Sequence, residues 1–446
     1  MPATLARSAL DVSTDGIARL DRSIYTDPAV FELELEQLWH RNWVYVAHES
    51  QLPNAGDYVT AFIGRQPVIV IRDDTGALRA FINSCTHRGS LLLGDACGTV
   101  SRNIVCPYHA WGFNTRGELL AIASEKIGAY PPSYDKRALD LKPLARIDSY
   151  RGLIFAALEP PGLSLKEHLG DAAVMIDILL DQSANGWEVI KGRSTYTYRG
   201  NWKLQAENAV DGYHAPTVHG NFAATIENRQ RSASKAGSVA AKTGTVTSMT
   251  VRHDVQTMAG GYFDFGRGHV VIWRDWDNPQ DRFNYDQRES FVERMGPAKA
   301  KWATGRMRNL LIFPNLMIMD QMSTQLRVLR PVAVDRTEVT GFAFAPVAEP
   351  PINRRKRLRF YEDFFNASGM ATPDDLEIFN RSQRAFGGSL LPVSDISRGA
   401  RHQIAGPNEF ARELGIEPVS SGAWIHDEGI YVGLYRAWAQ FMQLEA

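Results

Sequence analysis

The sequence predicts an α+β protein in which a small β-rich domain precedes, or is inserted in, a larger domain of helices and strands. Short β-branched runs separated by turns continue to about residue 158, whereas longer stretches of helical spacing follow. Proline and glycine at 160–162 mark the boundary between these two parts. The 446 residues also exceed the ~250–300 residues that one hydrophobic core usually organises.

The first 40 residues are expected to form an arm that ends in a helix and packs on the larger domain. Asp27 and Pro28 are an N-cap and first-turn pair typical of a helix start. Phe31, Leu35 and Leu38 follow at i, i+4 and i+7 with glutamates between them, which indicates an amphipathic helix.

Residues 41–158 are predicted to be the small β domain. Val68–Ile71 is a β-branched run, Asp73–Gly76 has turn chemistry, and Leu78–Ile82 resumes an extended segment. Gly152–Leu158 is the longest apolar run that stands out, and we expect it to be a buried closing strand.

Residues 159–446 are predicted to be the larger domain. Ser164 and Glu167 form a capping box at its first helix. Further elements follow from spacing and composition: strands at Thr195–Tyr198 and within 309–346, and helices at Arg354–Phe365 and Pro373–Arg384.

Composition excludes several classes of protein. The 49 basic and 50 acidic residues leave a net charge of −1, which is unlike an electrostatic nucleic-acid binder. The seven apolar residues of Gly152–Leu158 are far fewer than a membrane helix needs, and the N-terminus has no secretory pattern. Three cysteines cannot form a disulfide framework at this length, so we expect a cytoplasmic protein.

Two mixed Cys-His loops are the first candidate site. Cys85 and His87 are followed, after 18 intervening residues, by Cys106 and His109. Two cysteines and two histidines are the ligands of a Rieske [2Fe–2S] cluster, in which the cysteines hold one iron and the histidines the other. A Cys₂His₂ zinc site is the alternative, although zinc fingers usually pair cysteine with cysteine and histidine with histidine. Cys97 fits neither loop and is interpreted as a spare thiol that behaves as a small apolar residue.

A carboxylate–histidine segment is the second candidate site. Glu207, Asp211 and His214 fall at i, i+4 and i+7, which places them on one face if a single helix contains them. Pro216 would distort that helix, so His214 and His219 could converge. Two histidines and a carboxylate form the facial triad of non-haem Fe(II) oxygenases. The alternative is two unrelated histidines at a helix end.

Spacing does not decide the third ligand of this triad. Asp374 and Asp375 follow Thr372 and Pro373, which have the chemistry of an N-cap and a first helical position. Acidic residues are favoured in the first turn of any helix, so both aspartates are explained without a metal.

The two motifs together resemble the α subunits of Rieske non-haem iron ring-hydroxylating dioxygenases, in the benzoate, anthranilate and halobenzoate 1,2-dioxygenase branch. The resemblance runs from about residue 20 to about residue 435. Its other segments are Gly64-Arg65-Gln66-Pro67, Gly200-Asn201-Trp202-Lys203, Glu207-Asn208, Asp211-Gly212-Tyr213-His214 and Tyr361-Glu362-Asp363-Phe364-Phe365-Asn366, continuing to Pro373-Asp374-Asp375.

The resemblance implies a Rieske domain followed by a helix-grip catalytic domain, in which an antiparallel sheet closes over a long helix. It implies that the [2Fe–2S] cluster is bound by Cys85, His87, Cys106 and His109, and that a mononuclear non-haem Fe(II) is bound by His214, His219 and Asp375. It also implies that Asp211 bridges the cluster of one subunit and the iron of its neighbour in a trimer.

The predicted function is that of a terminal oxygenase. The enzyme would cis-dihydroxylate an aromatic carboxylic acid in aromatic catabolism. It would use O₂ and two electrons, which an NAD(P)H-dependent reductase with a flavin and a [2Fe–2S] cluster would supply. The resemblance implies an α3β3 assembly with a small β subunit, or an α3 homotrimer. The alternatives are a Rieske monooxygenase or demethylase, a pure Rieske electron carrier and, more remotely, a zinc-stabilised binding module.

Three departures from the family pattern stand out. The gap between the cluster loops is one residue longer than in similar members, which should alter only the loop. Ala110 replaces a frequent glycine. Gly220 replaces a bulky aromatic residue next to His219, which predicts a larger pocket and an acid bulkier than benzoate. Arg327 and Arg330 are candidate partners for the substrate carboxylate, and at least one of them is expected on the surface.

Overall fold

The computed structural model describes residues 9–128, 130–160, 162–233, 259–276, 278–388 and 390–444. Contacts divide the chain into two compact units: residues up to Glu34 together with those from Leu169 onward, and Leu35–His168. The domain boundaries predicted at residues 40 and 158 stay predictions. Pro161, in the predicted boundary segment, lies outside the described residues.

The N-terminal segment contributes two strands and two short helices to the larger unit: β1 (Leu10–Val12), β2 (Ala18–Asp21), α1 (Ser23–Thr26) and α2 (Pro28–Glu34). The predicted helix start is confirmed, because the carboxylate of Asp27 accepts a hydrogen bond of 2.8 Å from the backbone N–H of Ala29. A π-helical turn, Leu35–Trp39, follows α2.

The described residues of the smaller unit form ten strands: β3 (Val44–His48), β4 (Asp57–Ile63), β5 (Gln66–Arg72), β6 (Leu78–Ile82), β7 (Cys97–Thr99), β8 (Ile104–Val105), β9 (Gly112–Phe113), β10 (Leu119–Ala121), β11 (Arg146–Tyr150) and β12 (Leu153–Ala157). They form three antiparallel sheets with the orders β11-β12-β3, β6-β5-β4-β7 and β10-β9-β8. The predicted strands at 68–71, 78–82 and 152–158 are confirmed. Every residue of β12 is buried, as its continuous apolar pattern requires.

Short helical elements complete the smaller unit. The 3₁₀ turns are Glu49–Gln51, Glu125–Ile127 and Lys136–Leu139. Helix α3 (Leu165–Leu169) begins at the predicted capping box, in which the Ser164 hydroxyl accepts from the N–H of Glu167 at 3.3 Å. The Glu167 carboxylate accepts from the N–H of Ser164 at 2.9 Å, so both halves of the box are present.

The larger unit continues with helices and strands in alternation. They are α4 (Ala172–Leu180), β13 (Trp187–Val189), β14 (Ser194–Tyr198), α5 (Trp202–Ala209), α6 (Ala215–Val218), α7 (Gly220–Ala233), β15 (Gly260–Asp264), β16 (Val270–Asp275), α8 (Arg288–Met295), α9 (Pro297–Gly305), β17 (Arg306–Ile312), β18 (Leu316–Asp320), β19 (Thr324–Ala333), β20 (Arg336–Pro346), α10 (Pro351–Phe364), α11 (Thr372–Phe386), β21 (Val393–Asp395), β22 (Ile404–Ala405), α12 (Glu409–Leu414), β23 (Ser420–Gly422) and α13 (Gly429–Phe441). The 3₁₀ turns are Pro279–Asp281, Tyr285–Gln287 and Ala400–His402.

A ten-stranded antiparallel sheet organises this unit. Its order is β13-β20-β19-β18-β17-β16-β15-β23-β22, and β14 also pairs with β20. Every residue of β17 and β18 is buried. Both strands lie inside the sheet with a neighbouring strand on each side, and helices such as α5 pack against them. The α+β prediction, a small β domain and a larger mixed domain built on an antiparallel sheet, is confirmed. Among the described residues, no helix combines the length and apolar character needed to cross a bilayer.

A buried ion pair holds three helices of the larger unit together. Asn201 caps α5 by accepting the N–H of Lys203 at 3.1 Å. The Lys203 ammonium then lies 2.5 Å from the carboxylate of Glu34 on α2. That carboxylate also accepts the indole N–H groups of Trp202, at 2.8 Å, and of Trp438 on α13, at 2.7 Å. The polar residues of the 200–203 segment therefore position α5, the helix that leads into the candidate site.

Candidate metal centres and the adjoining cavity

The two Cys-His loops have the same backbone construction. The Cys85 loop lies between β6 and β7, and the Cys106 loop between β8 and β9. In the first, the N–H of Gly89 donates to the carbonyl of Cys85 at 2.9 Å; in the second, the N–H of Ala110 donates to that of Cys106 at 3.0 Å. Gly89 and Ala110 both have positive φ, 74° and 55°. The frequent glycine at the Ala110 position thus has a physical reason, since this conformation favours glycine.

The loops place their thiols inside and their imidazoles outside. Cys85 and Cys106 are buried in the apolar core of the smaller unit, whereas His87 is exposed and His109 is half-buried. The two imidazole rings are 4.6 Å apart, and His87 stacks on Trp111 at 4.5 Å with nearly parallel planes. A cluster held here would have its histidine-bound iron nearer the surface.

The donor atoms suit a negatively charged iron–sulfur cluster. Burial raises the pKa of Cys85. At Cys106, hydrogen bonds from the backbone of Tyr108 and His109 and from neighbouring side chains together outweigh burial and hold the pKa below its ordinary value. The Nδ1 atom of His109 is buried and has no hydrogen-bond partner among the described residues. A bound iron would satisfy that nitrogen. Cys97 is a free and exposed thiol, so it does not pack as a small apolar residue would.

The second candidate site is built differently from the prediction. Helix α5 contains Glu207 but ends two residues before Asp211, so Asp211 and His214 do not share its face. Instead His214 and His219 flank the four-residue helix α6, and Pro216 lies in the first turn of α6 rather than kinking a longer helix. The two histidines converge all the same, with ring centroids 5.2 Å apart.

Asp375 completes a group of three possible ligands. Its Oδ1 lies 3.5 Å from Nε2 of His214 and 3.4 Å from Nε2 of His219. One donor atom from each residue lies within 4.8 Å of the others. Asp375 occupies the first turn of α11 and is buried. The helix begins at Thr372 with Ala371 as N-cap, so the assignment of Thr372 as N-cap was one residue too late.

Polar contacts orient His214 toward this point of convergence. Its Nδ1 lies 3.2 Å from a carboxylate oxygen of Asp211, which favours the tautomer with the proton on Nδ1. The amide of Asn208 donates to Nε2 of His214 and to Oδ1 of Asp375, both at 3.1 Å. Burial lowers the pKa of His219, which keeps that imidazole neutral. Although burial opposes it, Asp211 and Asp375 raise the pKa of His214, so these carboxylates favour a positive charge at this point. A cation bound among the two histidines and Asp375 would supply that charge.

The three residues line a cavity of about 110 Å³. A single water needs only ~10–15 Å³ of such space, so the cavity is large enough for an organic molecule. Much of the wall is apolar and comes from helices, strands and a loop: Phe222, Ile272, Met307, Met319, Phe364 and Ile425. Apolar walls with a few polar groups are typical of small-molecule sites.

The structure distinguishes the two candidate arginines. Arg327 on β19 is buried and lines the cavity. Arg330, three residues later, points to the opposite face of the strand and lies 3.2 Å from Glu338. This agrees with the expectation that at least one of them serves the surface rather than the site.

The prediction that Gly220 enlarges the pocket is wrong. Gly220 is exposed and is absent from the cavity wall. A Cβ built on it would have no described atom within 4 Å. Successive helical residues point about 100° apart, so the residue after the inward-facing His219 turns toward solvent.

Comparison with known sequences identifies both units. The sequence model of the Rieske [2Fe-2S] domain family matches residues 42–131. The sequence model of the ring hydroxylating alpha subunit (catalytic domain) family matches residues 186–443. The chain belongs to the ring-hydroxylating oxygenase α subunits. It is accordingly an oxidoreductase and a terminal oxygenase subunit whose cofactors are a Rieske [2Fe–2S] cluster and a mononuclear non-haem iron.

Individual relatives of this α subunit agree. The toluate 1,2-dioxygenase subunit alpha of Pseudomonas putida is 43% identical over 96% of this chain and 92% of its own length. The 2-halobenzoate 1,2-dioxygenase large subunit of Burkholderia cepacia is 42% identical over 96% and 90%. Among solved structures, naphthalene 1,2-dioxygenase with indole bound in its active site superposes with a TM-score of 0.80 at 26% identity, covering 97% of this chain and 93% of that one.

The α subunit also has site residues to which sequence reasoning assigned no role. Asn208 contacts two of the three possible ligands, but it lies on α5, and no spacing rule connects it to His214 across the helix end. Met307 and Met319 line the cavity from β17 and β18, where their apolar character is the same as that of core residues. Only their place in the folded sheet distinguishes them.

Proposed function

We propose that this α subunit cis-dihydroxylates an aromatic carboxylic acid of the benzoate or anthranilate type. The observation that carries the proposal is the convergence of His214, His219 and Asp375 on an apolar cavity. The similarity to α subunits named for toluate, halobenzoate and anthranilate, at 42–43% identity, supports the substrate class.

Each metal would have its own ligands. Cys85, His87, Cys106 and His109 would hold the cluster, and His214, His219 and Asp375 the mononuclear iron. When bound, the cluster supplies one-electron transfer and the iron supplies oxygen activation. The chain's own part is to place the ring against the apolar wall, to hold His214 in the required tautomer through Asp211, and to restrict water.

The overall reaction balances with an external reductant. One O₂, two electrons and two protons convert an aromatic C=C bond into two vicinal C–O bonds, and both oxygen atoms remain in the product. The electrons would come from NAD(P)H through a flavin and [2Fe–2S] reductase, as expected for a multicomponent oxygenase. We further propose an α3β3 or α3 assembly in the cytoplasm, with Asp211 linking the iron site to the cluster of a neighbouring subunit.

Separate removal of each metal tests the ligand assignment. Cys85→Ala should lose the visible absorption and acid-labile sulfide of the cluster, with Cys97→Ala as the matched control. His214→Ala should keep the cluster and lose the mononuclear iron, with the exposed His402→Ala as control. A full cluster in Cys85→Ala would contradict the ligand assignment, and cluster loss in His214→Ala would contradict two independent centres.

The reaction itself is tested with ¹⁸O₂, a surrogate reductase and a panel of aromatic acids. A diol carrying two labelled oxygen atoms supports dioxygenation, whereas one labelled atom or loss of a methyl group indicates a monooxygenase or demethylase. Asp211→Ala should retain both metals and yet form almost no product per cluster oxidised. Normal product formation in that variant would contradict the linking role of Asp211.

A further inference from the structure

Arg327 differs from the other buried arginines of the protein. Within the described part of the chain five arginines are buried, and four of them lie within 4 Å of a carboxylate. Those four are Arg282, Arg306, Arg308 and Arg357. Arg327 is 4% exposed, and no described carboxylate lies within that distance of it. A buried cation without a counter-ion is unfavourable, which points to an anion that the chain itself does not supply.

The guanidinium of Arg327 is held by a side-chain hydrogen bond and by the ring of Phe365, whose centroid lies 5.9 Å from its Cζ. Its Nε donates to the side-chain carbonyl of Gln325 at 3.0 Å, and the amide of Gln325 donates to Asn366 at 3.0 Å. Gly341 on β20 leaves the room for this pair, since a Cβ there would lie within 2.8 Å of both amides. These contacts occupy Nε and orient the arginine, while the terminal nitrogens carry no recorded hydrogen bond to described residues.

The surroundings of Arg327 match an aromatic acid. The cavity that it lines also contains His214, His219 and Asp375, while apolar side chains such as Met307 and Phe364 form other parts of the wall. A buried guanidinium in a mainly apolar cavity is complementary to a ring that carries one carboxylate. Arg274 lines the same cavity, but it is only half-buried, and its Nε donates to the sulfur of Met307 at 2.9 Å.

We infer that Arg327 binds the substrate carboxylate and so determines both the preference for acids and the ring edge presented to the iron site. The inference rests on the proposed function and adds to it the group that recognises the acid. The Gln325–Asn366 pair acts through Arg327 as a positioning element. Because a guanidinium binds a carboxylate in a bidentate manner, lysine should replace it only in part.

Binding measurements on the purified holoenzyme test this role. Isothermal titration would compare benzoate, 2-aminobenzoate, 2-chlorobenzoate and 3-methylbenzoate with the matching carboxamides. Arg327→Gln should weaken binding of the preferred acid about 30-fold or more and leave its carboxamide within about threefold. Arg327→Lys should recover part of the loss. Arg330→Gln, on the same strand but the opposite face, should change neither affinity.

Several results would overturn the inference. The first is an equal loss of affinity for the acid and its carboxamide in Arg327→Gln. The second is a parent enzyme that binds no acid better than the matching carboxamide. The third is a loss of affinity for the acid alone in Arg274→Gln but not in Arg327→Gln. Cluster absorption and circular dichroism check that each variant is folded. If Arg327→Gln does not fold, the binding measurements on Arg327→Lys still test the inference.

The product distinguishes this inference from the proposed function. A mixture of diol positions from Arg327→Gln, where the parent forms one, supports the inference. Arginine-dependent binding without diol from any acid would support recognition and contradict the proposed reaction. Diol formation with unchanged KM in Arg327→Gln would contradict recognition and leave the reaction standing.

Discussion

Glu207 shows how strongly one buried side chain can depart from its behaviour in water. Its carboxylate accepts hydrogen bonds from the hydroxyls of Tyr25 and Tyr435, next to the end of helix α5. Burial raises the pKa of Glu207 to about 7, and the tyrosines and Lys203 oppose this only in part. The folded protein therefore binds this proton more tightly than the unfolded chain does.

Glu207→Gln should alter the pH dependence of stability. The contribution of the parent carboxyl to the free energy of unfolding is fully present below its ordinary pKa of 4.5 and is lost as the pH rises through about 7. Since glutamine cannot ionise, the variant should be more stable than the parent at pH 8, by an amount on the order of 2 kcal/mol, and the difference should shrink toward pH 5. Urea unfolding at both pH values measures this, with the exposed Glu227→Gln as control. A variant that is less stable than the parent at pH 8 would show that the fold does not raise the pKa of Glu207.

At the scale of elements, α2, α5 and α13 meet at the carboxylate of Glu34. Helix α2 supplies the acid, α5 supplies Lys203 and Trp202, and α13 supplies Trp438. Burial lowers the pKa of Lys203, and Glu34 opposes that shift. The arrangement tolerates the loss of both charges better than the loss of one.

Glu34→Gln should destabilise the larger unit by about 3–5 kcal/mol, because it leaves Lys203 buried without a counter-ion. The double variant Glu34→Gln, Lys203→Met should regain most of that loss. Glu32→Gln, on the exposed side of the same helix, is the matched control. Denaturation midpoints provide the measurement, and a double variant no better than the single one would show that the charge pair is not the source of the loss.

At the scale of the whole molecule, the proposed assembly makes each active centre depend on two chains. A cluster-free subunit carrying Cys85→Ala keeps the iron ligands, whereas an iron-free subunit carrying His214→Ala keeps the cluster ligands. In a cyclic trimer each iron site would receive electrons from one neighbour.

Co-expression of the two variants with different tags should restore activity that neither has alone. In a cyclic trimer that contains both variants, about one site in three would combine an intact iron site with an intact cluster in the neighbour. Product formation is measured on oligomers purified through both tags in succession. The control is a mixture of the two variants that were purified separately and do not exchange subunits. Full inactivity of the mixed oligomers would indicate electron transfer within one chain.

The ligand candidates were predictable from the sequence because ligand type and short spacing are local properties. The two Cys-His loops and the His214–His219 pair could be recognised with no knowledge of the fold. The contact between Asp211 and His214 was also expected, but not its construction, because helix α5 ends before Asp211 and a turn changes the direction of the chain. Periodicity assumes a continuous helix and does not register such an end.

By itself, the sequence determined the α+β class, most of the predicted strands and helix starts, the family and the types of ligand, since each depends on local patterns of apolar, turn and metal-binding residues. Tertiary structure decided which side chains share a cavity. It selected Arg327 rather than Arg330, turned Gly220 to solvent, and brought Asn208 to Asp375 across 167 residues of chain. The reason is physical: a side chain's direction depends on the register and packing of its element, and neither is visible in spacing alone.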